Sequence, residues 1–205
     1  MTEHEKHTEE KIFEAATEVF EEKGFSAARM QDISQKAGIN KALLHYYYRT
    51  KEQLFNAVFE MLAKKLFNRF SPIFEENLSL DEKIKYFLRE HISFLQKNPR
   101  LPSFILYEIN QNPERIKRLI DNLALVSSMQ RLMEMHKAEL KEYDIDEKNL
   151  PQVMTSIVSL SVFPFAAKGI LSSIFDKLGY DFNTYIEERK DFAGEFVIKA
   201  IKKGK

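Results

Sequence analysis

The sequence has no cysteine, and only six glycines and six prolines occur in 205 residues. Without cysteine, the chain has no disulfide framework, no thiolate zinc site, no iron–sulfur cluster and no thiol nucleophile. The scarcity of glycine and proline leaves few tight turns and favours helices. A chain of this length buries roughly 70% of the surface that it exposes when unfolded, so the fold needs no metal or disulfide to stabilise it.

An excess of charge is also absent, because 31 Lys and Arg balance 31 Asp and Glu. A neutral chain does not coat nucleic acid through its global charge, although a local basic patch is compatible with neutrality. The N-terminus lacks an apolar core, which argues against a secretory signal and favours a cytoplasmic protein. Residues 153–175 carry one charge, Lys168, but Pro164 and Gly169 interrupt this apolar run. We favour a buried helix over a membrane span and expect no membrane partner.

Apolar residues recur at spacings of three and four along most of the chain, and no segment alternates with a period of two for long enough to form a strand. Side chains typical of helix starts divide this pattern, namely Asn40 and the capping boxes Thr50–Gln53 and Ser79–Glu82. Gly24 stands where a left-handed residue ends a helix. The sequence therefore predicts an all-α fold of about nine helices, including one of up to about seven turns that starts at Pro113.

Residues 28–47 have the layout of a helix-turn-helix, with a turn at Gly38 between two short helices. In such a unit the last helix is packed from behind, so that its outer face enters the major groove of DNA. Residues 29–51 contain five Lys and Arg but a single acid, Asp32. This local excess of positive charge is typical of a surface that contacts phosphates. A solvated charged face on a small helical bundle explains the charge alone equally well.

Four motifs follow one another in this region: Gly24-Phe25, Ile33 with Ala37-Gly38-Ile39-Asn40, Leu44-His45-Tyr46-Tyr47-Tyr48, and Lys51-Glu52-Gln53-Leu54. Residues 8–61, which contain them, resemble the DNA-binding domain of the tetracycline-repressor (TetR) family of bacterial transcription regulators. The sequence departs from the family pattern at three places. His45 stands where the family usually has Tyr, Tyr48 where it usually has Phe, and Ala28-Arg29 replace a capping Thr or Ser.

The resemblance implies a DNA-binding domain at 8–61 and a helical effector-binding and dimerisation domain at 62–205. By resemblance, Lys41 and Ala42 approach the bases at the start of the recognition helix. Lys51 matches a lysine that, with the free N–H groups of the fourth helix, holds one phosphate. The full set of DNA contacts that we expect is Arg29, Gln31, Asn40, Lys41, Ala42, His45, Tyr46, Tyr47 and Lys51.

A single helix-turn-helix contacts few base pairs, so a palindromic double-stranded operator requires a homodimer. Residues 153–165 and 182–201 offer apolar helical faces, which the resemblance places in a four-helix bundle between two copies. The alternative is that they form the ordinary core of one copy. The interface residues that we expect are Val153, Ile157, Leu160, Phe182, Tyr185, Phe192 and Phe196.

The region from about 70 to 150 is rich in Phe, Tyr and Met, which form adaptable walls for a small organic effector but equally fill a helical core. His91 lies on the apolar stripe of its helix, which favours a hydrogen-bonded core histidine over a ligand contact. The candidate wall residues are Phe67, Phe87, His91, Phe94, Phe104 and Tyr107.

The sequence has no Gly-rich phosphate loop, no nucleophile elbow and no pair of metal ligands on one helix face, so we expect no enzyme, no metal and no cofactor. We therefore predict a dimeric, sequence-specific DNA-binding transcriptional regulator, a repressor that a small apolar effector releases. The alternative is a helical ligand-binding or scaffold protein without DNA-binding activity. DNA affinity that falls as the salt concentration rises favours the regulator over this alternative.

Overall fold

The computed structural model describes residues 3–74, 78–111 and 113–202, and over these residues the chain forms twelve α-helices, one 3₁₀ turn and no strand. The prediction of an all-α fold is confirmed. The chain divides into two compact units, Met1–Lys65 and Leu66–Lys205. This division falls a few residues after residue 61, where the sequence places the end of the first domain.

Four helices supply the first unit: α1 (Glu3–Ala27), α2 (Met30–Lys36), α3 (Lys41–Tyr47) and α4 (Lys51–Arg69), which continues into the second unit. The helical run of α1 is broken at Gly24, whose φ of +70° is a conformation that glycine adopts without a steric penalty. The helices bury a common apolar core. Its members with the least exposure are Ile12, Ala16, Phe20, Ile33, Leu44, Leu54 and Phe55.

Eight helices follow the 3₁₀ turn at Ser71–Phe74 in the second unit. They are α5 (Leu80–Lys97), α6 (Leu101–Gln111), α7 (Pro113–Asn122), α8 (Leu125–Met135), α9 (Lys137–Glu142), α10 (Leu150–Ala166), α11 (Lys168–Leu178) and α12 (Phe182–Ile201). α5 is the central helix, because it packs against both α10 and α12. α12 approaches α5 closely at Gly194, where an added Cβ would lie 3.2 Å from the Cα of Lys85.

The number of helices in the described residues is larger than the predicted nine, because long apolar runs are broken. The predicted helix of about seven turns from Pro113 is wrong: it is divided at Ala124, where φ is +49°, and again at His136. The later apolar run breaks at Ala167, whereas Pro164 stays inside α10. In the described ranges no single helix is long and apolar enough to cross a membrane. Helices α10 and α11 reach the length and apolar composition of a membrane span only when they are taken together, and the chain bends by 74° between them.

Candidate nucleic-acid interface and apolar cavity

Helix α3 is short and is held from behind by one buried residue. Asn40 caps it, because the Asn40 side chain accepts a hydrogen bond from the Leu43 N–H at 2.7 Å. Leu44 is completely buried and fixes the inner face of the helix. Lys41 and Ala42 are exposed at the start of the helix, and Tyr46 is 77% exposed near its end. The first unit therefore presents one face of a recognition-type helix to solvent.

Arg29 stands at the cap position before α2 and makes no side-chain cap hydrogen bond, in agreement with the missing Thr or Ser at this point. Gln31 is exposed in its first turn. The helix is anchored instead by Ala28 and Ile33, which are 1% and 0% exposed. Arg29 and Gln31 thus lie on the surface of the same helix-turn-helix as Lys41.

Four ring side chains, His45, Tyr46, Tyr47 and Tyr48, follow one another at the end of α3. His45 Nδ1 donates to the Arg49 carbonyl at 3.2 Å, because a carbonyl oxygen only accepts. The Tyr46 and Tyr47 rings meet edge to face at 5.6 Å. The Tyr48 hydroxyl donates to Glu9 Oε1 at 2.7 Å, and burial together with this bond raises the pKa of Tyr48. Tyr48 therefore ties α3 to α1, whereas the hydroxyl of Tyr46 lies on an exposed side chain.

Lys51 lies at the start of α4, where the resemblance expects a phosphate ligand. Its ammonium donates to three carbonyl oxygens near the end of α1, at 2.7 Å to Phe25, 3.1 Å to Ser26 and 3.0 Å to Ala28. The ammonium also lies 4.6 Å from the centre of the Phe25 ring. An ammonium has three protons, so in this structure Lys51 uses all of them within the first unit.

The basic residues of 29–51 divide into paired and exposed groups. Lys36 forms ion pairs with Glu18 and Glu22, and Asp32 is paired with Lys23 at 2.7 Å. The hydrogen bond from Lys23 lowers the pKa of Asp32. Arg29, Lys41 and Arg49 are exposed. Exposed cations of this kind are suited to contacts with backbone phosphates.

The second unit contains a cavity of about 250 Å³, bordered by the 3₁₀ turn, α5, α8, α9 and α10. Most of its lining residues are apolar, and three of them are methionines: Met129, Met133 and Met154. Two lining residues are polar, Lys83 and His136. An apolar cavity with few polar groups is the usual form of a small-molecule site.

The predicted wall residues are not gathered around this cavity. Phe87 lines it. Phe67 packs against Phe74 at 5.9 Å between ring centres, and Phe94 and Phe104 are buried. Tyr107 is 49% exposed. The effector role of these residues stays a prediction.

His91 is a buried histidine on α5 with a hydrogen-bond partner. Its Nδ1 lies 2.9 Å from Ser161 Oγ, and that hydroxyl donates to the Val158 carbonyl at 2.7 Å. The Nδ1–H of His91 therefore donates to Ser161. Burial lowers the pKa of His91 to about 4, so the ring is neutral at pH 7.

The predicted dimer residues have two kinds of surroundings. Val153 and Ile157 line the cavity. The Leu160 carbonyl accepts from Arg189, and Phe182 and Tyr185 pack against the ring of Phe175. Phe192 and Phe196 are more than half exposed, with stacked rings 5.9 Å apart.

Helix α11 carries a further row of exposed apolar residues that the sequence did not predict. These residues recur at every fourth position, namely Ile170, Ile174 and Leu178.

Sequence reasoning also missed the two polar residues of the cavity. Lys83 looks like a surface lysine in a charged segment, but its spacing of three from Leu80 and four from Phe87 places it on their face. His136 has an acceptor three residues later, Glu139, at 2.6 Å. No group of three His, Asp or Glu side chains with the arrangement of a metal site occurs in the part of the chain that the structure describes.

The helices α1–α4 match a known protein family. Residues 12–58 match the family described as bacterial regulatory proteins, tetR family. The matched segment begins in α1 and ends in α4, so it contains the whole helix-turn-helix and the residue Lys51.

Similar proteins extend over most of the chain. The chain is 23% identical to the probable HTH-type transcriptional regulator YttP of Bacillus subtilis strain 168 over 190 residues, 89% of this chain and 90% of that protein. It is 24% identical to the nucleoid occlusion factor SlmA of Vibrio cholerae over 147 residues, 69% of this chain and 74% of that protein. The crystal structure of the transcriptional regulator FadR from Bacillus subtilis in complex with stearoyl-CoA shares the fold, with a TM-score of 0.62, 16% identity and coverage of 90% of this chain and 96% of that one.

Proposed function

The chain belongs to the tetR family of bacterial regulatory proteins, and from this premise we propose that it is a dimeric repressor that binds a palindromic operator and is released by a small apolar effector. The observation that carries the proposal is the presentation of α3. Its inner residue Leu44 is completely buried, while Lys41, Ala42 and Tyr46 are exposed on the outer side. A helix supported in this way inserts into the major groove with its first residues toward the bases.

Specificity and affinity come from different residues of this surface. Lys41 and Ala42 lie at the start of α3, the part of a recognition helix that meets base edges. Arg29, Arg49 and the hydroxyl of Tyr46 are suited to phosphates, which add affinity and salt dependence without sequence preference.

Two copies are needed because one α3 covers a single half-site. The exposed rings of Phe192 and Phe196 on α12 and the exposed residues Ile170 and Ile174 on α11 support a dimer surface in the second unit. Apolar side chains of this size on two neighbouring helices are typical of an interface. The second copy would bury them in a four-helix arrangement.

The effector site in this proposal is the cavity of the second unit. Its apolar wall supports binding of a small organic molecule. α4 runs without a break from Lys51 to Arg69, so one helix carries residues of both units. A ligand that favours one position of α4 over another changes DNA affinity, and a coupling of about 1–3 kcal/mol is typical of such pairs of sites.

Footprinting and salt titration on the DNA that flanks the gene test the proposal. We expect a protected DNA segment with two-fold symmetry. We also expect the DNA affinity to fall as the salt concentration rises, with a slope that corresponds to several phosphate contacts. Lys41→Ala should change which bases are preferred, whereas Lys85→Ala on α5 serves as a control that should not. Binding of a monomer to one asymmetric half-site contradicts the dimer. A dimer without salt-dependent affinity for any genomic fragment favours the alternative, a ligand-binding or scaffold protein.

A further inference from the structure

The imidazole of His45 is held by a hydrogen bond within the first unit. His45 lies on α3 four residues after Lys41, and residues with this spacing lie on the same side of a helix. Its Nδ1 donates to the Arg49 carbonyl at 3.2 Å, because a carbonyl oxygen only accepts. The Nδ1 proton is therefore used at the end of α3, and any further contact of the ring depends on its other nitrogen.

That other nitrogen, Nε2, has no hydrogen-bond partner among the described residues and is not a buried atom. The side chain of His45 is partly exposed, so Nε2 is open to a contact from outside the protein. In a neutral imidazole only one nitrogen carries a proton, and a ring that donates through Nδ1 has a lone pair at Nε2. His45 therefore offers an acceptor, and no donor, beside Lys41.

An acceptor at this place is suited to a base and not to the DNA backbone, because phosphate oxygens also only accept. In the major groove the hydrogen-bond donors are the exocyclic amino groups of the bases, N6 of adenine and N4 of cytosine. Guanine and thymine present acceptor oxygens there, O6 and O4. Each base pair thus has one base with an amino group, and an acceptor on α3 can distinguish which strand carries that base.

We propose that His45 is a specificity-determining residue whose Nε2 accepts a hydrogen bond from the amino group of adenine or cytosine. This inference rests on the proposed function, because it requires α3 in the major groove. Lys41, one turn earlier, is a donor and is suited to guanine, whose O6 and N7 accept. Each half-site should therefore contain a position that favours adenine or cytosine over guanine or thymine, close to the position that depends on Lys41.

Selection of bound sequences from a random double-stranded DNA library, at about pH 8 where histidine is neutral, tests the proposal. His45→Phe keeps a ring but has no acceptor. In this variant the preference for adenine or cytosine at one position of each half-site should fall roughly twofold to tenfold, the range for one uncharged hydrogen bond, while the other positions keep their preferences. The matched control is Tyr46→Phe, which removes the hydroxyl of the next residue and should lower the overall affinity without changing any base preference.

Titration of the selected site with modified bases identifies the contacted atom. Purine in place of the adenine, or 2-pyrimidinone in place of the cytosine, removes the amino group. The wild type should lose affinity for the modified site, whereas His45→Phe should bind both sites alike. If His45→Phe does not fold by circular dichroism, His45→Gln provides a second test. Glutamine pairs with adenine through two hydrogen bonds, so the preference should narrow from both amino bases to adenine alone.

Unchanged base preference in His45→Phe overturns the proposal, as does equal affinity of the wild type for the modified and unmodified sites. A salt slope that is lower by about one in His45→Phe would make His45 a cationic ligand of a phosphate and would also overturn it. These results leave the proposed function intact. A wild-type protein that enriches no DNA sequence overturns the proposed function and this inference with it.

Discussion

The two units of the chain are packed differently. In the first unit the ring of Phe55 meets those of Phe20 and Phe25 edge to face, each at 4.9 Å, and Phe20 and Phe55 are 1% exposed. In the second unit a cavity of about 250 Å³ borders α5, and large apolar side chains such as Ile170 and Leu178 lie on the surface. A surface that fits a groove needs fixed geometry, whereas a receptor that responds to a ligand needs room to rearrange. The difference in packing matches the difference in proposed roles.

The largest expected effect is the loss of a ring from the core of the first unit. Phe55→Ala should lower the free energy of unfolding by about 3–5 kcal/mol, because the cavity it leaves cannot collapse in a dense core. Phe87→Ala should cost clearly less, since this ring already borders empty space. Urea denaturation followed by circular dichroism measures both. Equal losses at the two positions would show that the units are packed alike.

The second unit should be more sensitive to acid, because burial lowers the pKa of His91 to about 4 from an ordinary 6.5. Between these values the unfolded chain binds more protons than the folded one, so the free energy of unfolding falls as the pH falls. The slope is at most about 1.4 kcal/mol per pH unit.

Melting temperatures from pH 7 to pH 4 measure this acid sensitivity. His91→Leu should flatten the dependence, and the exposed His7→Leu serves as the control. An unchanged profile in His91→Leu would assign the acid sensitivity to other groups.

A smaller loss of stability is expected when Lys51 is replaced. The informative question is whether the replacement affects stability alone or DNA binding as well. Lys51→Met leaves three carbonyls at the end of α1 without their donor. The expected cost is roughly 1–3 kcal/mol of unfolding free energy. If Lys51 also binds a phosphate, as the resemblance implies, the salt slope of DNA binding falls by about one. If stability falls but the salt slope of DNA binding is unchanged, Lys51 only stabilises the first unit and does not bind a phosphate.

The smallest expected effect compares one cap in each unit. Asn40→Ala and Ser79→Ala each remove a side chain that accepts from the third N–H of a helix, at a typical cost of about 1 kcal/mol. Asn40 caps the seven-residue α3, so its loss should weaken operator binding as well, whereas Ser79→Ala on the longer α5 should not. Fluorescence anisotropy with labelled operator DNA distinguishes them. Equal loss of DNA affinity in both variants would mean that a cap in the second unit matters for DNA binding as much as the cap of α3 does.

The local rules of the sequence predicted the parts of the fold that depend on neighbouring residues. Asn40 caps α3, the box of Ser79 and Glu82 is formed in full, and Gly24 breaks α1 with a positive φ. These features need only a side chain and a backbone N–H three residues away, or a residue without a Cβ. The same holds for the outward position of Lys41 on α3.

Features that depend on distant packing were not predictable. Helices break at Ala124 and Ala167, although alanine is the strongest helix former, so the helix propensity of these residues does not predict the breaks. The burial of Lys83 depends on α8 lying beside α5, and the partner of Lys51 lies at the end of α1. The effector residues chosen from aromatic content stay predictions for the same reason.

The three hydrogen bonds of Lys51 join chain segments that are 23 to 26 positions apart in sequence. They close a loop that contains all of α2 and α3. Helices of seven residues are not stable by themselves in water, so these two depend on long-range contacts such as the Lys51 bonds and the burial of Ile33 and Leu44. In native-state hydrogen exchange, their amides are expected to open together as one cooperative segment. A side chain that belongs to neither helix thus contributes to the lifetime of the recognition helix.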